Sequence, residues 1–153
     1  MNNLTNLTIE NSIIASNEAS GIRILSNYIN TGRVFDSLDD VVIRGNTIAD
    51  NDIGGILIYV EDDLGLPNLV DILIENNTLL RNKVYGGSNL LENAQLKIIS
   101  GSYGWDCTED FVMNLTVRNN TVLETNGYAG IKIDFVEDGN VFVENNRVEN
   151  VLE

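Results

Sequence analysis

The apolar residues of the chain follow a short pattern that recurs five times. Each copy reads apolar, any residue, apolar, charged, two small or amide residues, any residue, apolar. The copies align without gaps and occupy residues 7–14, 41–48, 72–79, 115–122 and 141–148. Because Leu7 and Ile9, like their counterparts in the other copies, lie two residues apart, each copy predicts a short strand with one buried face.

The two polar residues in the middle of each copy predict a tight turn. The next apolar position no longer fits the alternation, so the chain has to bend, and Asn adopts the left-handed backbone conformation at low cost. Stacked copies would align these residues in two columns: Asn11, Gly45, Asn76, Asn119 and Asn145, then Ser12, Asn46, Asn77, Asn120 and Asn146. Since side-chain amides both donate and accept hydrogen bonds, the columns predict asparagine ladders.

A second element, Gly-Ile-x-Ile with any residue at the third position, occurs at residues 21–24, 55–58 and 130–133. Equivalent positions in successive copies of the first pattern are 26 to 43 residues apart. No window shows the 3.6-residue period and caps of a helix. Short strands at such spacings predict a parallel β-solenoid, whose coils bury their apolar faces by stacking. The longest spacing leaves open whether a degenerate extra coil lies around residues 96–99.

The combined repeat, Ile-x-x-Asn-x-Ile followed by Asn and Gly-Ile-x-Ile, resembles the right-handed parallel β-helix repeat of the pectate-lyase-like superfamily. The resemblance implies an all-β, single-stranded parallel β-helix of about five to six coils. In that family Gly-Ile-x-Ile would form the first sheet, Leu-Thr-Ile the second and the apolar pair after the turn the third. We expect one domain over residues 1–153, with an irregular loop at about 83–113. Neither end shows a capping helix, so we expect a segment of a longer solenoid or an end covered by a partner coil.

Composition excludes several kinds of chemistry. The chain has 153 residues, a net charge of −14, no His and one Cys. Without His it holds no Ser-His-Asp triad and no His-ligated zinc, and Cys107 alone cannot form an internal disulfide. The acidic excess argues against nucleic-acid binding. No apolar run is long enough to span a membrane, and the first residues do not form a signal peptide.

The resemblance implies that ligands bind on the first sheet and its flanking loops. Alternation along Gly-Ile-x-Ile places Arg23, Leu57 with Tyr59, and Lys132 with Asp134 on the outer face. Cations bind the carboxylates of an acidic sugar and a tyrosine contacts the sugar ring, so Arg23, Tyr59 and Lys132 are candidate substrate-binding residues. The alternative is an ordinary polar surface.

Clustered carboxylates suggest a calcium site. Acidic residues follow the first sheet at Glu61, Asp62 and Asp63 and again at 137–138, and an earlier loop holds Asp36, Asp39 and Asp40. Calcium prefers six to eight oxygen ligands, so Glu61, Asp62 and Asp63 are candidate metal ligands. Acidic loops also keep a solenoid soluble and protect its edges, and that alternative needs no metal.

Residues 100–111 depart most from the repeat. They hold the chain's only Trp and Cys together with candidate sugar-binding residues Tyr103 and Trp105 and candidate catalytic residues Asp106 and Glu109. Aromatic rings stack on sugars and carboxylates supply acid and base groups. Residues 103–109 are similar to the Tyr-Gly-Phe-Asp-Pro-His-Glu motif of mannuronan C5-epimerases, with Cys-Thr in place of Pro-His. The alternative is an insertion loop whose aromatic residues pack on the barrel.

Asp134 is a third catalytic candidate. Its position after Gly-Ile-Lys-Ile resembles the acidic residue that ends such a strand in β-helix glycosidases. Glu61 or Asp62 would be its partner from the adjacent coil, because glycoside hydrolysis requires a pair of carboxyl groups.

Three classes of function remain. The first is an extracellular or cell-surface module that binds or acts on polysaccharide, most simply an acidic one. The second is a non-catalytic structural or adhesin segment. The third is an enzyme: a polysaccharide lyase, a glycoside hydrolase or a C5-epimerase. The fold resemblance alone does not choose among them, since one fold hosts many functions; the assignment to the cell exterior likewise follows from the resemblance.

Overall fold

The computed structural model describes residues 3–26, 37–60, 69–83, 94–100, 112–125, 129–134 and 138–149. Within these ranges the chain is built from strands, and no helix suited to crossing a membrane is found there. The strands are β1 (Asn3–Glu10), β2 (Ile13–Ala15), β3 (Ile22–Ser26), β4 (Ser37–Arg44), β5 (Thr47–Ala49), β6 (Ile56–Val60), β7 (Leu69–Glu75), β8 (Thr78–Leu80), β9 (Ala94–Ser100), β10 (Val112–Arg118), β11 (Thr121–Leu123), β12 (Ala129–Asp134), β13 (Asp138–Glu144) and β14 (Arg147–Glu149).

The strands form three parallel sheets, and successive coils contribute one strand to each. Sheet 1 has the order β3-β6-β9-β12, sheet 2 the order β1-β4-β7-β10-β13 and sheet 3 the order β2-β5-β8-β11-β14. Every strand therefore pairs with the strand three places along the chain. This is a right-handed parallel β-helix of five coils, and the predicted architecture is confirmed.

Aliphatic side chains from all three sheets fill the interior. In-register pairing stacks like residues on like, so that Ile43, Ile74 and Val117 form one fully buried column. Ile48 and Leu79 continue the core on sheet 3, and Ile58 on sheet 1. Removal of this apolar surface from water is the main source of stability.

An asparagine ladder runs through the turn between sheets 2 and 3. Asn46 Nδ2 donates to Asn77 Oδ1, Asn77 Nδ2 to Asn120 Oδ1, and Asn120 Nδ2 to Asn146 Oδ1, each at 3.0 Å. The main-chain N–H of each of these donors is directed to the same Oδ1, and each Nδ2 also donates to a carbonyl of the preceding coil, as Asn77 does to Ile43 O at 2.9 Å. The predicted ladder is confirmed.

The residue before each rung has the left-handed backbone conformation, as the turn requires. Asn11, Asn76, Asn119 and Asn145 have φ between 51° and 55°, and Gly45 has φ of 63°. A Cβ at Gly45 would lie 2.7 Å from Asn11 Oδ1, so glycine also relieves a close approach between coils. The turn prediction is therefore correct in both columns.

The third coil answers one open question and corrects one expectation. Residues 96–99 belong to β9, which is the sheet 1 strand of that coil and not part of an extra one. The interval 83–113 is consequently not an irregular loop throughout, because residues 94–100 pair with β6 and β12. The alternation Leu96, Lys97, Ile98 explains this pairing, since it repeats that of Ile22, Arg23, Ile24.

The two end coils leave part of the apolar interior uncovered by other described residues. At the first coil, Leu7, Ile9, Ile14 and Ile22 line an open concavity of about 550 Å³. In the last coil the inward positions stay accessible, and Val143 is 51% exposed. The inner coils, in contrast, bury the same positions completely.

Candidate functional site

The outer face of sheet 1 carries two rows of aligned side chains. The register of the four strands forms a cation row, Arg23, Leu57, Lys97 and Lys132. A second row on this face contains Leu25, Tyr59 and Ile99, and Asp134 is the register partner of Ile99 in β12. Neighbouring members of a row lie about 4.8 Å apart, the spacing of paired strands.

The middle of this face is closely packed. Leu57, Tyr59 and Ile99 form an apolar cluster separate from the interior core, with Leu25 packed against it. Tyr59 is only 5% exposed. Its ring lies on the outer face but supports the packing of that face; it does not offer the open stacking surface expected for a sugar ring.

The cations of the described residues divide into two groups. Five of them pair with carboxylates away from sheet 1: Arg44 with Glu10, Arg81 with Asp50, Lys83 with Asp52, Arg118 with Glu75 and Arg147 with Glu149. Arg23, Lys97 and Lys132 lie in the cation row, and Lys97 and Lys132 also have interaction partners within the protein. Arg23 is exposed and makes no ion pair with any described carboxylate, whereas Lys132 is half-buried.

Sequence reasoning missed the third member of this row. Lys97 is 1% exposed and lies between Leu57 and Lys132 in register. Its position could have been found from the alternation Leu96, Lys97, Ile98. However, this strand lacks the glycine that precedes Ile-x-Ile in the other three strands of sheet 1. Gln95 stands in that place, since Leu96 pairs with Ile56.

The Arg81–Asp50 pair is an example of the ion pairs that lie away from sheet 1. Arg81 Nε and Nη2 donate to Asp50 Oδ1 and Oδ2 at 2.8 and 2.9 Å, linking two successive turns. The hydrogen bond from Arg81 holds the pKa of the Asp50 carboxyl below its ordinary value, and the same contact raises the pKa of Arg81. Four of the five ion pairs join one coil to the next, and the fifth, Arg147–Glu149, lies within strand β14.

Comparison with known proteins identifies the family. Residues 1–152 match the family model described as right handed beta helix region. The chain belongs to the right-handed β-helix family. No curated protein and no solved structure matches the sequence. The family model describes an architecture and not an activity, so any function of this β-helix protein has to be argued from its surface.

Of the three catalytic candidates of this β-helix, only Asp134 belongs to the described residues. Asp134 ends β12, next to Ile99 of β9. Its expected partners, Glu61 and Asp62, lie outside the described residues; strand β9 lies between β12 and β6 in sheet 1. The other candidate catalytic and sugar-binding residues lie outside the described part: Tyr103, Trp105, Asp106 and Glu109.

An acidic cluster lies on sheet 2 of the β-helix. Carboxylate oxygens of Asp39, Asp40 and Asp71 come within 4.8 Å of one another. Asp39 and Asp40 belong to strand β4 and not to a loop, which corrects the sequence expectation. The three carboxylates would reach six oxygens, the lower limit for calcium, only if each bound through both of its oxygens. Because exposed acidic groups are common without an ion, we describe the cluster as an acidic surface. The predicted ligands Glu61, Asp62 and Asp63 lie outside the described residues.

Proposed function

We propose that this β-helix protein binds an acidic polysaccharide along the outer face of sheet 1. The observation that carries the proposal is the cation row. In a chain of net charge −14, three of its nine Lys and Arg residues share one row of one sheet. Cations concentrated against the overall charge favour a ligand that carries negative charge.

The geometry of the row suits a linear ligand. Strand pairing repeats positions every 4.8 Å or so along the solenoid axis, and a polysaccharide with a carboxylate on each sugar is also a linear array of charges. Exposed Arg23 and half-buried Lys132 are the contacts we propose at its two ends. Lys97 is buried, so we propose no direct ligand contact for it.

The place of action is part of the same proposal. A polysaccharide ligand fits an extracellular or cell-surface location. Binding at the cation row does not depend on that location, so the two parts of the proposal are tested separately.

A thermal-shift panel of uronate-containing and neutral polysaccharides, each with and without calcium, tests the proposal. A ligand that binds only the native state raises the melting temperature. We expect a shift with the acidic sugars alone. The matched variants are Arg23→Ala and Arg147→Ala, which each remove one exposed cation from a strand at an end of its sheet. We expect Arg23→Ala to weaken binding several-fold and Arg147→Ala to leave it unchanged.

Two outcomes would contradict the proposal. Equal loss of binding in both variants would mean that only net charge matters. No shift with any polysaccharide would favour a structural or adhesin solenoid. An acidic polysaccharide that shifts the melting temperature should also be tested for turnover; product formation that Asp134→Asn or Asp106→Asn abolishes would instead establish an enzyme.

A further inference from the structure

The two asparagines of the turns at 76–77 and 119–120 have different environments. Asn77 and Asn120 are buried rungs of the ladder. Asn76 and Asn119, which precede them, are exposed, and their side chains make no hydrogen bond with any described residue. Their main chain is fixed all the same, because φ is 55° and 54° and each N–H donates to a carbonyl of the next coil. Each turn therefore presents one side-chain amide to solvent on an ordered backbone.

Both exposed asparagines begin an Asn-x-Thr sequence. Thr78 is the third residue of the sequence that starts at Asn76, and Thr121 is the third residue of the one that starts at Asn119. Asn-x-Thr is the acceptor sequence for N-linked glycans, which lie on the protein surface. The buried ladder asparagine is the middle residue in both sequences. A glycan on the exposed asparagine would therefore leave the ladder unchanged.

The other Asn-x-Thr sequences of the chain begin within strands, at Asn3 and Asn6 of β1 and at Asn114 of β10. The side-chain amide of Asn114 donates to Asp71 at 2.8 Å and accepts from Asn140 at 3.1 Å. A glycan on Asn114 would displace these contacts. Among the described residues, only the two turn sites combine the acceptor sequence with an exposed, unbonded amide outside a strand.

The outer face of sheet 3, beside these turns, carries no charge in the second, third and fourth coils. Its outward positions form a threonine row and an apolar row in register: Thr47, Thr78 and Thr121, then Ala49, Leu80 and Leu123. In a chain of net charge −14, this face lacks the charged side chains that keep protein surfaces from associating. Strands β8 and β11 start two residues after Asn76 and Asn119, so a glycan on either asparagine would lie next to this face.

We infer that Asn76 and Asn119 are acceptors for an N-linked glycan that shields the uncharged outer face of sheet 3. In this reaction the Asn side-chain nitrogen attacks the anomeric carbon of a lipid-linked oligosaccharide. The new bond joins Nδ2 to that carbon, the bond from the carbon to the phosphate oxygen breaks, and the lipid phosphate leaves. The amide proton passes to a base of the transferase. Because such transferases modify exported chains, the inference rests on the extracellular location in the proposed function, but not on polysaccharide binding.

Peptide mapping by mass spectrometry tests the inference on the full chain, exported from a host that makes N-linked glycans. An amidase that releases these glycans converts each modified Asn to Asp and so identifies the site. We expect glycan on the peptides that contain Asn76 and Asn119. Since the two sites are about 4.8 Å apart along the column, one glycan hinders a second, and Asn76→Gln should raise the occupancy of Asn119.

Asn145 supplies a matched control. It is exposed and has φ of 54°, like the two acceptors, but Arg147 occupies the position of the threonine. Arg147→Thr should therefore create a new glycan site on Asn145. Arg147→Val, which has a similar shape but no hydroxyl, should not.

The shielding role has its own measurement. By sedimentation velocity, the chain made without glycans should self-associate several-fold more tightly than the glycosylated chain. Leu80→Lys in the glycan-free chain places a charge on the uncharged face and should reverse that gain. Equal self-association with and without the glycan would overturn the shielding role.

Two further results would overturn the acceptor sites. One is the absence of glycan from both turn sites in the protein purified from the organism that produces it. The other is modification of Asn114 in place of the turn sites. The thermal-shift panel with polysaccharides uses the chain made without glycans, so its outcome is independent of these results.

Discussion

Asn82 Nδ2 donates a hydrogen bond to Gln95 Oε1 at 3.0 Å, so a glutamine from sheet 1 takes a rung that an asparagine occupies in the coils before it. Those earlier rungs join Asn17 to Asn51 and Asn51 to Asn82, at 2.8 and 2.7 Å. Gln95 Nε2 then donates to Leu123 O at 2.7 Å, in the next coil. The longer side chain thus preserves the connection between coils where the sequence repeat is weakest.

We expect Gln95→Ala to lower the free energy of unfolding by about 3 kcal/mol. The change leaves one N–H of Asn82 Nδ2 without its acceptor, and an unsatisfied buried group costs about 1–3 kcal/mol. It also removes one of the donors to Leu123 O, which keeps its hydrogen bond from Arg81 N–H. Urea denaturation of the full chain gives the value. Asn114→Ala is the control, because the hydrogen bonds of its side-chain amide with Asp71 and Asn140 are exposed. A comparable loss of unfolding free energy in that variant would contradict the role assigned to Gln95.

Asn119→Val should destabilise the fold by about 1–2 kcal/mol. Asn119 has φ of 54°, and a β-branched residue is strained in that conformation. Asn119→Gly, which adopts positive φ freely, should be much less destabilising than the valine variant. Thermal unfolding of both variants distinguishes backbone strain from loss of the amide. Equal melting temperatures for the two would show that the turn conformation is not what asparagine provides.

The position of a coil should decide the effect of a core substitution. Ile74→Ala removes a fully buried side chain from the third coil, and we expect a loss of about 3 kcal/mol. Val143→Ala, at the equivalent inward position of the last coil, is 51% exposed and should change stability by less than about 1 kcal/mol. Ile74→Asp should abolish cooperative unfolding at the wild-type temperature, since it buries an unpaired charge. A melt like that of the wild type would refute the inward assignment.

The Asp50–Arg81 pair predicts a local dependence of stability on pH. Since the folded pKa of Asp50 is lowered, the pair contributes stability above the pKa of the unfolded carboxyl, about 3.9. That contribution is lost as the pH falls through the folded pKa. An NMR titration of the Asp50 carboxyl should show a return to the ordinary pKa in Arg81→Gln. Arg147→Gln, whose cation pairs with Glu149, should leave it unchanged, and a shift there would indicate a long-range charge effect.

The sequence predicts the fold of this protein well because each structural element depends on a local pattern. Alternation identifies the strands and paired amides identify the turns, as Asn76 and Asn77 illustrate. Lys97 was missed because Gln95 stands where glycine precedes the Ile-x-Ile of the other sheet 1 strands, and glycine was the signal used for that sheet. The burial of Tyr59 could not be predicted either, since alternation distinguishes inner from outer faces but does not show what packs on the outer one.

Successive rungs of the ladder are 31 residues apart between Asn46 and Asn77 and 43 apart between Asn77 and Asn120, yet both amide hydrogen bonds measure 3.0 Å. The axial rise of a coil is therefore independent of the length of chain between its rungs. Evolution can lengthen a connection and place new side chains on it without moving any strand of the neighbouring coils. A change in such a connection can therefore alter the surface of a coil while the hydrogen bonds of the ladder are kept.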